Sequence, residues 1–196
     1  MRNPVVNLTT GLKNFRTEFH RSIIIMLLSE AVLLLNHNIS KEKSTWADIG
    51  CGDGLFTNAL SQLLPAQSLI YAADKNKRSL NNVTVKEEIQ LEKMVLNFVS
   101  EALPFTNLSG ILMANAFHFV KDKHVFINKA FKCLQADGYF IIIEYNTDKS
   151  NLWVPYPISF NNLKNFFSAF DYNAEKLQEM PSRYHGKIYS AIIKHR

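Results

Sequence analysis

Residues 46–56 read WADIGCGDGLF, and they hold three of the seven glycines of this 196-residue chain, at Gly50, Gly52 and Gly54. The strand-like run Thr45–Ile49 leads into these glycines, and apolar residues at helical spacing follow them. Glycine adopts backbone conformations that other residues avoid, and it lets the chain approach a ligand closely. In open α/β sheets, ligands bind at such turns beyond the carboxyl ends of strands. The stretch therefore predicts a strand, a ligand-binding turn and a helix.

The spacing of these glycines separates three kinds of binding turn. A P-loop requires GxxxxGK[ST], and no Lys-Ser or Lys-Thr pair follows the glycines. A dinucleotide fingerprint requires GxGxxG; Gly50 and Gly52 fit it, but Leu55 stands at the third glycine position. The pattern present is DxGxGxG, with Asp48 two residues before the first glycine.

Strand-like and helical runs alternate along the rest of the chain, which predicts parallel βαβ units and an α/β fold. Asp137-Gly138 is interpreted as the turn that ends a helix and begins the fifth strand. Two extended runs near the C-terminus predict an antiparallel pair at the sheet edge. The predicted strands are 45–49, 68–73, 94–99, 110–115, 139–143, 173–180 and 187–194, and the predicted helices are 12–35, 55–64, 125–134 and 163–170.

Composition predicts one folded domain. The chain is 47% hydrophobic, 20% charged and 12% aromatic, which excludes disorder and allows a real core. Two cysteines exclude a disulfide framework and a thiolate-only zinc site, and no cluster has metal-ligand spacing. The net charge of +5 permits an anionic partner without requiring one. We expect residues 1–44 to form a helical cap, 45–145 the ligand-binding core, and 146–196 a helix and hairpin on the substrate side.

The apolar run Ser22–Leu35 is the one segment that requires a targeting interpretation. A membrane-spanning helix requires about 20 apolar residues, so this run of 14 is too short. About 20 residues precede it, and Asn36, His37 and Asn38 follow it where a secretory signal would carry small residues. The run is interpreted as a buried or half-buried helix of a cytoplasmic protein.

Four segments in order extend the DxGxGxG pattern into a family resemblance. Asp74 ends the second predicted strand, and residues 98–105, FVSEALPF, are similar to a D-A-x-x-L-P-F segment shortened by one residue. Residues 112–120, LMANAFHFV, are similar to an n-a-l-h-h-v stretch, and residues 131–139, FKCLQADGY, resemble an R-v-L-k-p-G-G turn. Over about half of its length, the chain resembles the class I S-adenosylmethionine-dependent methyltransferases.

This resemblance implies a Rossmann-like three-layer sandwich with a mostly parallel seven-stranded sheet. It implies S-adenosylmethionine as cofactor, S-adenosylhomocysteine as product, and no metal. Asp48 would lie near the ammonium group or order the turn, Asp74 would accept the ribose hydroxyls, and Ser100 and Glu101 compete for the position facing the adenine. Asp53 is interpreted as a helix cap. The implied cofactor-binding residues are Asp48, Gly50, Cys51, Gly52, Gly54, Asp74, Lys75, Ser100, Glu101, Ala102 and Asn115.

The acceptor side is less defined by sequence. His118 follows the fourth predicted strand and Glu144 follows the fifth, and both are candidate catalytic residues. For His118, the alternative is a packed or cofactor-adjacent histidine. Loops beyond the core often carry specificity, so the candidate substrate residues are His20, Tyr145, Trp153, Tyr156 and Arg183.

We expect a methyltransferase that acts on a small molecule. No Asn-Pro-Pro-Tyr/Phe motif follows the fourth strand, and the chain leaves little room for a macromolecule-binding module. The alternatives are a methyltransferase acting on RNA or protein, and a non-catalytic cofactor-binding member of the fold. The basic residues are spread along the chain, so nucleic acid is a possible partner that the sequence does not favour.

Overall fold

The computed structural model describes residues 26–36, 39, 41–182 and 186–196. Within these residues, seven strands form one sheet in the order β3-β2-β1-β4-β5-β7-β6. Strands β1 to β5 run parallel, and β7 lies antiparallel between β5 and β6. The strands are β1 Thr45–Ile49, β2 Leu69–Asp74, β3 Gln90–Val95, β4 Leu108–Ala114, β5 Leu134–Tyr145, β6 Tyr172–Pro181 and β7 Lys187–His195. The predicted mixed sheet with an antiparallel C-terminal pair is confirmed.

Helices cover the two faces of the sheet and bury two large apolar cores, and a third, smaller cluster lies around Leu80. One core joins Leu34 of α1 and Leu60 of α2 to Trp46 of β1, and the other joins Phe126 of α4 and Phe167 of α5 to the opposite face. This is the three-layer arrangement expected when both faces of a parallel sheet are apolar. The helices are α1 Leu28–Leu35, α2 Leu55–Leu63, α3 Lys77–Asn82, α4 Lys123–Phe131 and α5 Phe160–Ser168, and a 3-10 helix covers Phe117–Phe119.

The third strand lies earlier in the chain than the apolar pattern predicts. The prediction was 94–99, whereas β3 is Gln90–Val95 and pairs with β2 only as far as Asp74↔Val95. Leu96 and Phe98 follow the strand and are buried in the core, at 4% and 8% exposure. The apolar run therefore marks burial of the segment after an edge strand, and the strand itself is largely exposed and polar.

The interpretation of Asp137-Gly138 as a turn is wrong. Helix α4 already ends at Phe131, and both residues lie inside β5. The register between β4 and β5 shifts there, between Leu108 and Gly110. A Cβ on Gly138 would lie 2.7 Å from the Leu108 carbonyl oxygen. Glycine is needed because a bulge brings two backbones close together, which local sequence does not distinguish from a turn.

Two further helices differ from the sequence predictions. Of the predicted helix 12–35, the described part is α1, Leu28–Leu35, and the earlier residues lie outside the described part of the chain. Helix α3, Lys77–Asn82, was not predicted; the Asn76 side chain caps it by accepting from the backbone N–H groups of Arg78 and Ser79. In the described segments, no helix combines the length and apolar character needed to cross a membrane.

Candidate active site

The glycine turn connects the carboxyl end of β1 to helix α2 and bonds to the end of β2. The backbone N–H groups of Gly50 and Cys51 both donate to the carbonyl oxygen of Ala73, at 2.7 and 3.1 Å. Gly50, Gly52 and Gly54 have φ of 78°, 54° and 86°. This left-handed region disfavours residues with a Cβ. Three alternate positions therefore require glycine for backbone reasons alone.

The three glycines differ in what surrounds them. A Cβ on Gly50 would lie 2.6 Å from the Ala116 Cβ, and a Cβ on Gly54 would lie 2.7 Å from a methyl group of Val83. A Cβ on Gly52 would meet no atom within 4 Å. The outer glycines are thus packed against the protein, whereas the middle glycine exposes its backbone to open space. That space is where a ligand can contact the turn.

Asp48 lies at the base of this turn and is 0% exposed. Its Oδ2 accepts a hydrogen bond from the Thr57 hydroxyl at 2.6 Å, whereas no described residue donates to Oδ1. Burial, assisted by the nearby charge of Asp74 and opposed by the Thr57 hydrogen bond, raises the pKa of Asp48 to about 7. A buried acceptor without a partner is destabilising. A cationic donor such as an ammonium group would satisfy it.

Asp74 ends β2 beside the turn and is half-buried. Its Oδ2 accepts from the Gly52 backbone N–H at 3.0 Å, and its Oδ1 accepts from the Asn76 backbone N–H at 2.8 Å. Each carboxylate oxygen accepts more than one hydrogen bond, so both oxygens retain capacity for ligand hydroxyls. The next residue, Lys75, is exposed. The glycine turn therefore holds the Asp74 carboxylate in place beside the open space at Gly52.

The remaining predicted cofactor residues have different environments. Ser100, Glu101 and Ala102 are exposed in the loop after β3, and Glu101 closes that loop by accepting from the Asn97 backbone N–H at 3.1 Å. Asn115 follows β4 with φ of 51°, and its Oδ1 is buried without a described donor. Asn115 therefore offers an unsatisfied amide oxygen at the same sheet edge as Asp48.

The side chains of Cys51 and Asp53 complete the description of the glycine turn. Burial raises the pKa of the half-buried Cys51 thiol well above its usual range, so the thiol stays protonated. The interpretation of Asp53 as a helix cap is wrong, because Gly54 occupies the N-cap in a left-handed conformation and makes no side-chain cap. Asp53 instead accepts from the Asn82 side-chain amide at 3.3 Å.

His118 and Glu144, predicted separately, lie in direct contact. The His118 backbone N–H donates to Glu144 Oε1 at 3.0 Å, and His118 Nδ1 lies 2.8 Å from Glu144 Oε2. Their residues are 3% and 0% exposed. The 3-10 helix that carries His118 begins after Ala116, the residue that packs on Gly50. The pair therefore borders the glycine turn through one layer of packing.

The loop after β5 reaches this pair at Tyr156. The Tyr156 backbone N–H donates to the His118 carbonyl oxygen at 3.0 Å. Lys123 Nζ donates to the carbonyl oxygens of Tyr156 and Val120 at 2.8 and 2.9 Å. The Tyr145 ring lies 6.3 Å from the His118 ring, centroid to centroid. Tyr156 and Tyr145 therefore lie beside the His118–Glu144 pair.

The other predicted substrate residues do not join this group. Trp153 is 80% exposed on the same loop and has no described contact with His118. His20 and Arg183 lie outside the described residues. Among the described residues, no group of three or more His, Cys, Asp or Glu side chains could hold a metal ion.

Two functional neighbours were missed by sequence reasoning. Thr57 binds Asp48 from the first turns of α2, and Lys123 fastens the Tyr156 loop. Thr57 lies three residues after Gly54 in the helix that follows the glycines, so its closeness in sequence to the turn could have identified it. Lys123 and Tyr156 are 33 residues apart, and their spacing carries no signal.

The chain was compared with known proteins by sequence and by structure. The profile of a methyltransferase domain matches residues 47–142. The match begins one residue before Asp48 and ends within β5, so it covers the glycine turn, Asp74 and His118. No curated protein matches the chain in sequence.

Many solved structures share the fold at low sequence identity. The Burkholderia thailandensis 1,6-didemethyltoxoflavin-N1-methyltransferase, with bound 1,6-didemethyltoxoflavin and S-adenosylhomocysteine, is 14% identical, has a TM-score of 0.64, and is matched over 100% of this chain and 94% of that one. The plantazolicin methyltransferase BpumL in complex with SAH is 13% identical, with a TM-score of 0.59 over 96% of this chain and 89% of that one. A Leishmania major SAM-dependent methyltransferase is 17% identical, with a TM-score of 0.63 over 79% of this chain and 65% of that one.

At these identities, structural likeness shows the fold, and the sequence profile adds the family. The profile and the sheet order agree with the motifs that follow the strands in chain order. The chain belongs to the class I S-adenosylmethionine-dependent methyltransferase family.

Proposed function

We propose that this protein transfers a methyl group from S-adenosylmethionine to a small-molecule acceptor. The observation that carries the proposal is the buried Asp48 oxygen without a described donor, at the base of a turn whose middle glycine faces open space. A carboxylate in this position matches the ammonium end of the methyl donor, because a buried charge requires a paired partner. The residues present therefore fit this cofactor.

Each part of the turn has a distinct role toward the cofactor. Asp48 would pair with the ammonium group, the Gly52 backbone would pack on the methionine portion, and Asp74 would accept the ribose hydroxyls. When bound, the cofactor supplies an activated methyl group on a sulfonium sulfur. The protein then contributes binding, orientation for in-line transfer and exclusion of water. The buried pair Asp48–Thr57 orients the first of these contacts before the ligand arrives.

Two observations support a small-molecule acceptor. Two aromatic residues near His118 remain exposed, Phe119 at 48% and Tyr156 at 40% exposure. Binding sites for small molecules are lined mainly by apolar and aromatic side chains with a few placed polar groups. The Burkholderia relative, which holds a small heterocycle, matches this chain over its full length. A domain of this size is thus sufficient for an acceptor of that class.

Calorimetric titration of the full chain with S-adenosylhomocysteine tests the cofactor site. We expect one binding site in the wild type and at least a tenfold loss of affinity in Asp74→Asn, because charge-assisted hydrogen bonds contribute about 1.5–3 kcal/mol. Asp53→Asn is the matched control, since Asp53 is an exposed acid in the same turn that bonds Asn82. We expect its affinity to stay within about twofold of the wild type.

Two results would overturn this proposal. The first is an absence of S-adenosylhomocysteine binding by the wild-type protein. The second is an equal loss of affinity in Asp53→Asn and Asp74→Asn, which would show that charge near the turn matters without a specific ribose contact.

A further inference from the structure

Three hydrogen bonds hold His118, one at its imidazole and two at its backbone. Glu144 accepts from the His118 backbone N–H and contacts His118 Nδ1. The His118 carbonyl oxygen accepts from the Tyr156 backbone N–H. These contacts connect β5, the 3-10 helix and the loop after β5. A side chain fixed in this way has one orientation, which is a requirement for a group that must meet a reacting atom at a defined distance.

The contacts also determine which nitrogen is available. A carboxylate only accepts hydrogen bonds, so Nδ1 must carry the proton at the 2.8 Å contact with Glu144. In the neutral ring, Nε2 then holds the lone pair. Nε2 forms no hydrogen bond with any residue that the structure describes. A histidine with one nitrogen bonded to a carboxylate and the other nitrogen unoccupied is the arrangement of a general base.

We propose that His118 removes a proton from the methyl acceptor through Nε2, and that Glu144 is the positioning residue that holds the required tautomer. The inference rests on the proposed function. An electron pair on the acceptor oxygen or nitrogen forms the new bond to the methyl carbon, the carbon–sulfur pair stays on sulfur, and the acceptor proton moves to Nε2. The acceptor is therefore a hydroxyl or N–H compound, because a thioether or a tertiary amine has no proton to lose.

Aromatic surface beside His118 narrows the acceptor further. The Phe119 ring lies 4.3 Å from the His118 ring and is 48% exposed as a residue. Tyr156 and Tyr145 lie on the two neighbouring segments. Offset or edge-on ring contacts stabilise flat ligands beyond simple burial. We therefore expect the hydroxyl or N–H group to be attached to an aromatic or otherwise flat ring.

The charged and titratable groups around the pair do not compete with this role. Lys123 faces it from α4, and burial, partly opposed by the charge of Glu144, lowers the pKa of Lys123. Tyr189 faces it from β7, and burial together with Glu144 and Asp148 raises the pKa of Tyr189 well above its usual range. The Tyr189 hydroxyl donates to the Ile158 carbonyl oxygen at 3.0 Å. The Tyr189 hydroxyl therefore keeps its proton near neutral pH, and the Lys123 side chain is occupied by the carbonyl oxygens of Val120 and Tyr156.

Nitrogen NMR of the histidine rings in the full-length protein tests the assignment. We expect the ring proton of His118 on Nδ1, the nitrogen that contacts Glu144, and we expect the Nε2 resonance to move when S-adenosylhomocysteine is added. His124, exposed on α4 and packed against Phe166, is the internal control and should not respond. His118→Gln assigns the resonances by their loss.

Glu144→Gln provides the decisive variant. Its carbonyl would accept from the His118 backbone N–H, so its NH₂ group would face Nδ1 and favour the opposite tautomer. We expect the ratio of Nδ1–H to Nε2–H forms to fall at least tenfold, with no change in the matched control Glu175→Gln. Glu175 is exposed on β6 and bonds Asn173.

The outcomes separate this inference from the proposed function. An absence of S-adenosylhomocysteine binding in calorimetry overturns the proposed function. Binding that leaves His118 Nε2 unmoved, or an Nε2–H tautomer in the wild type, overturns only the role of His118. Binding with a responsive Nε2 and a tautomer change in Glu144→Gln supports both.

Discussion

Two carboxylates, Asp48 and Glu144, are completely buried, and the protein treats them in opposite ways. Asp48 bonds one hydroxyl through one oxygen, and its other oxygen has no described donor. Both oxygens of Glu144 are bonded, and both partners belong to His118. Asp48 is therefore incomplete, in that one oxygen has no described donor, whereas Glu144 is complete, with a partner for each oxygen.

This difference corresponds to two ways of building a site. An incomplete buried acid stores unfavourable free energy that a cationic ligand relieves, so Asp48 suits direct binding. A buried acid whose oxygens are both hydrogen-bonded gains little from a ligand, so Glu144 is suited to orienting His118. Changes at the two carboxylates should therefore alter stability in opposite directions.

The largest effect is expected from His118→Leu, which leaves Glu144 buried without its partner. Leaving a buried carboxylate without its partner typically costs about 3–5 kcal/mol, because its charge is then uncompensated. We expect the free energy of unfolding at pH 7, measured by urea denaturation, to fall by about that amount. His124→Leu on exposed helix α4 is the control; a similar loss there would refute the contrast.

Asp48→Asn should act in the opposite direction. The pKa of Asp48 is raised by burial from its ordinary value of 3.8 to about 7, so the folded state retains a proton that the unfolded state releases. Stability of the wild type is therefore lost as pH rises from about 4 to 7. We expect Asp48→Asn to remove this loss. Its free energy of unfolding, relative to that of the wild type, should rise by a few kcal/mol as the pH is raised from about 4 to about 8.

The same variant should bind S-adenosylhomocysteine at least tenfold more weakly, since its side chain no longer carries a charge for the ammonium group. Paired urea denaturation and calorimetry measure both effects. A variant that loses stability at pH 8 by more than at pH 4 would contradict the comparison.

Thr57→Val tests the single hydrogen bond that Asp48 does have. The variant keeps the shape of the side chain and removes the donor at 2.6 Å. We expect a loss of about 1.5–3 kcal/mol at pH 8, because the bond is to a charged group. The loss should be smaller at pH 4, where Asp48 is protonated. Thr57→Ser, which keeps the hydroxyl, should retain most of the stability, and equal losses in both variants would point to packing instead.

The smallest effect is expected from Lys123→Met, which removes a cation near Glu144. The variant loses two hydrogen bonds to backbone carbonyl oxygens. It also removes the cost of burying the ammonium group, which is the cost that lowers the pKa of Lys123. We expect thermal denaturation to show a loss of about 1 kcal/mol. Exposed Lys121→Met should change stability by less than about 0.5 kcal/mol. A loss several times larger would mean that Lys123 completes Glu144 together with His118.

The glycine turn shows what local sequence can predict. Its strand, helix and ligand-binding role follow from residue types within eleven positions, and the left-handed φ of Gly50, Gly52 and Gly54 agrees with the need for glycine. Backbone conformation is a local property, so short-range pattern is sufficient to detect it. The cofactor residues assigned by resemblance remain predictions until the titration above is done.

Other features were not accessible from pattern. The apolar residues Leu96 and Phe98 predict a strand in the run after β3, although they are buried by packing after the strand ends. Gly138 was taken for a turn because a bulge requires the same residue type. In both cases the deciding interaction comes from a strand distant in sequence, which a local window does not contain.

By itself, the sequence determined the family, the alternation of strands and helices with an antiparallel C-terminal pair, and the turn that would hold the methyl donor. Each of these depends on residues that are close together in the chain or on motifs in a set order. Only the tertiary structure decided that Oδ1 of Asp48 stays without a described donor and that Glu144 fixes one nitrogen of His118. The physical reason is that these properties depend on burial and on contacts between residues up to 26 positions apart, which folding alone brings together.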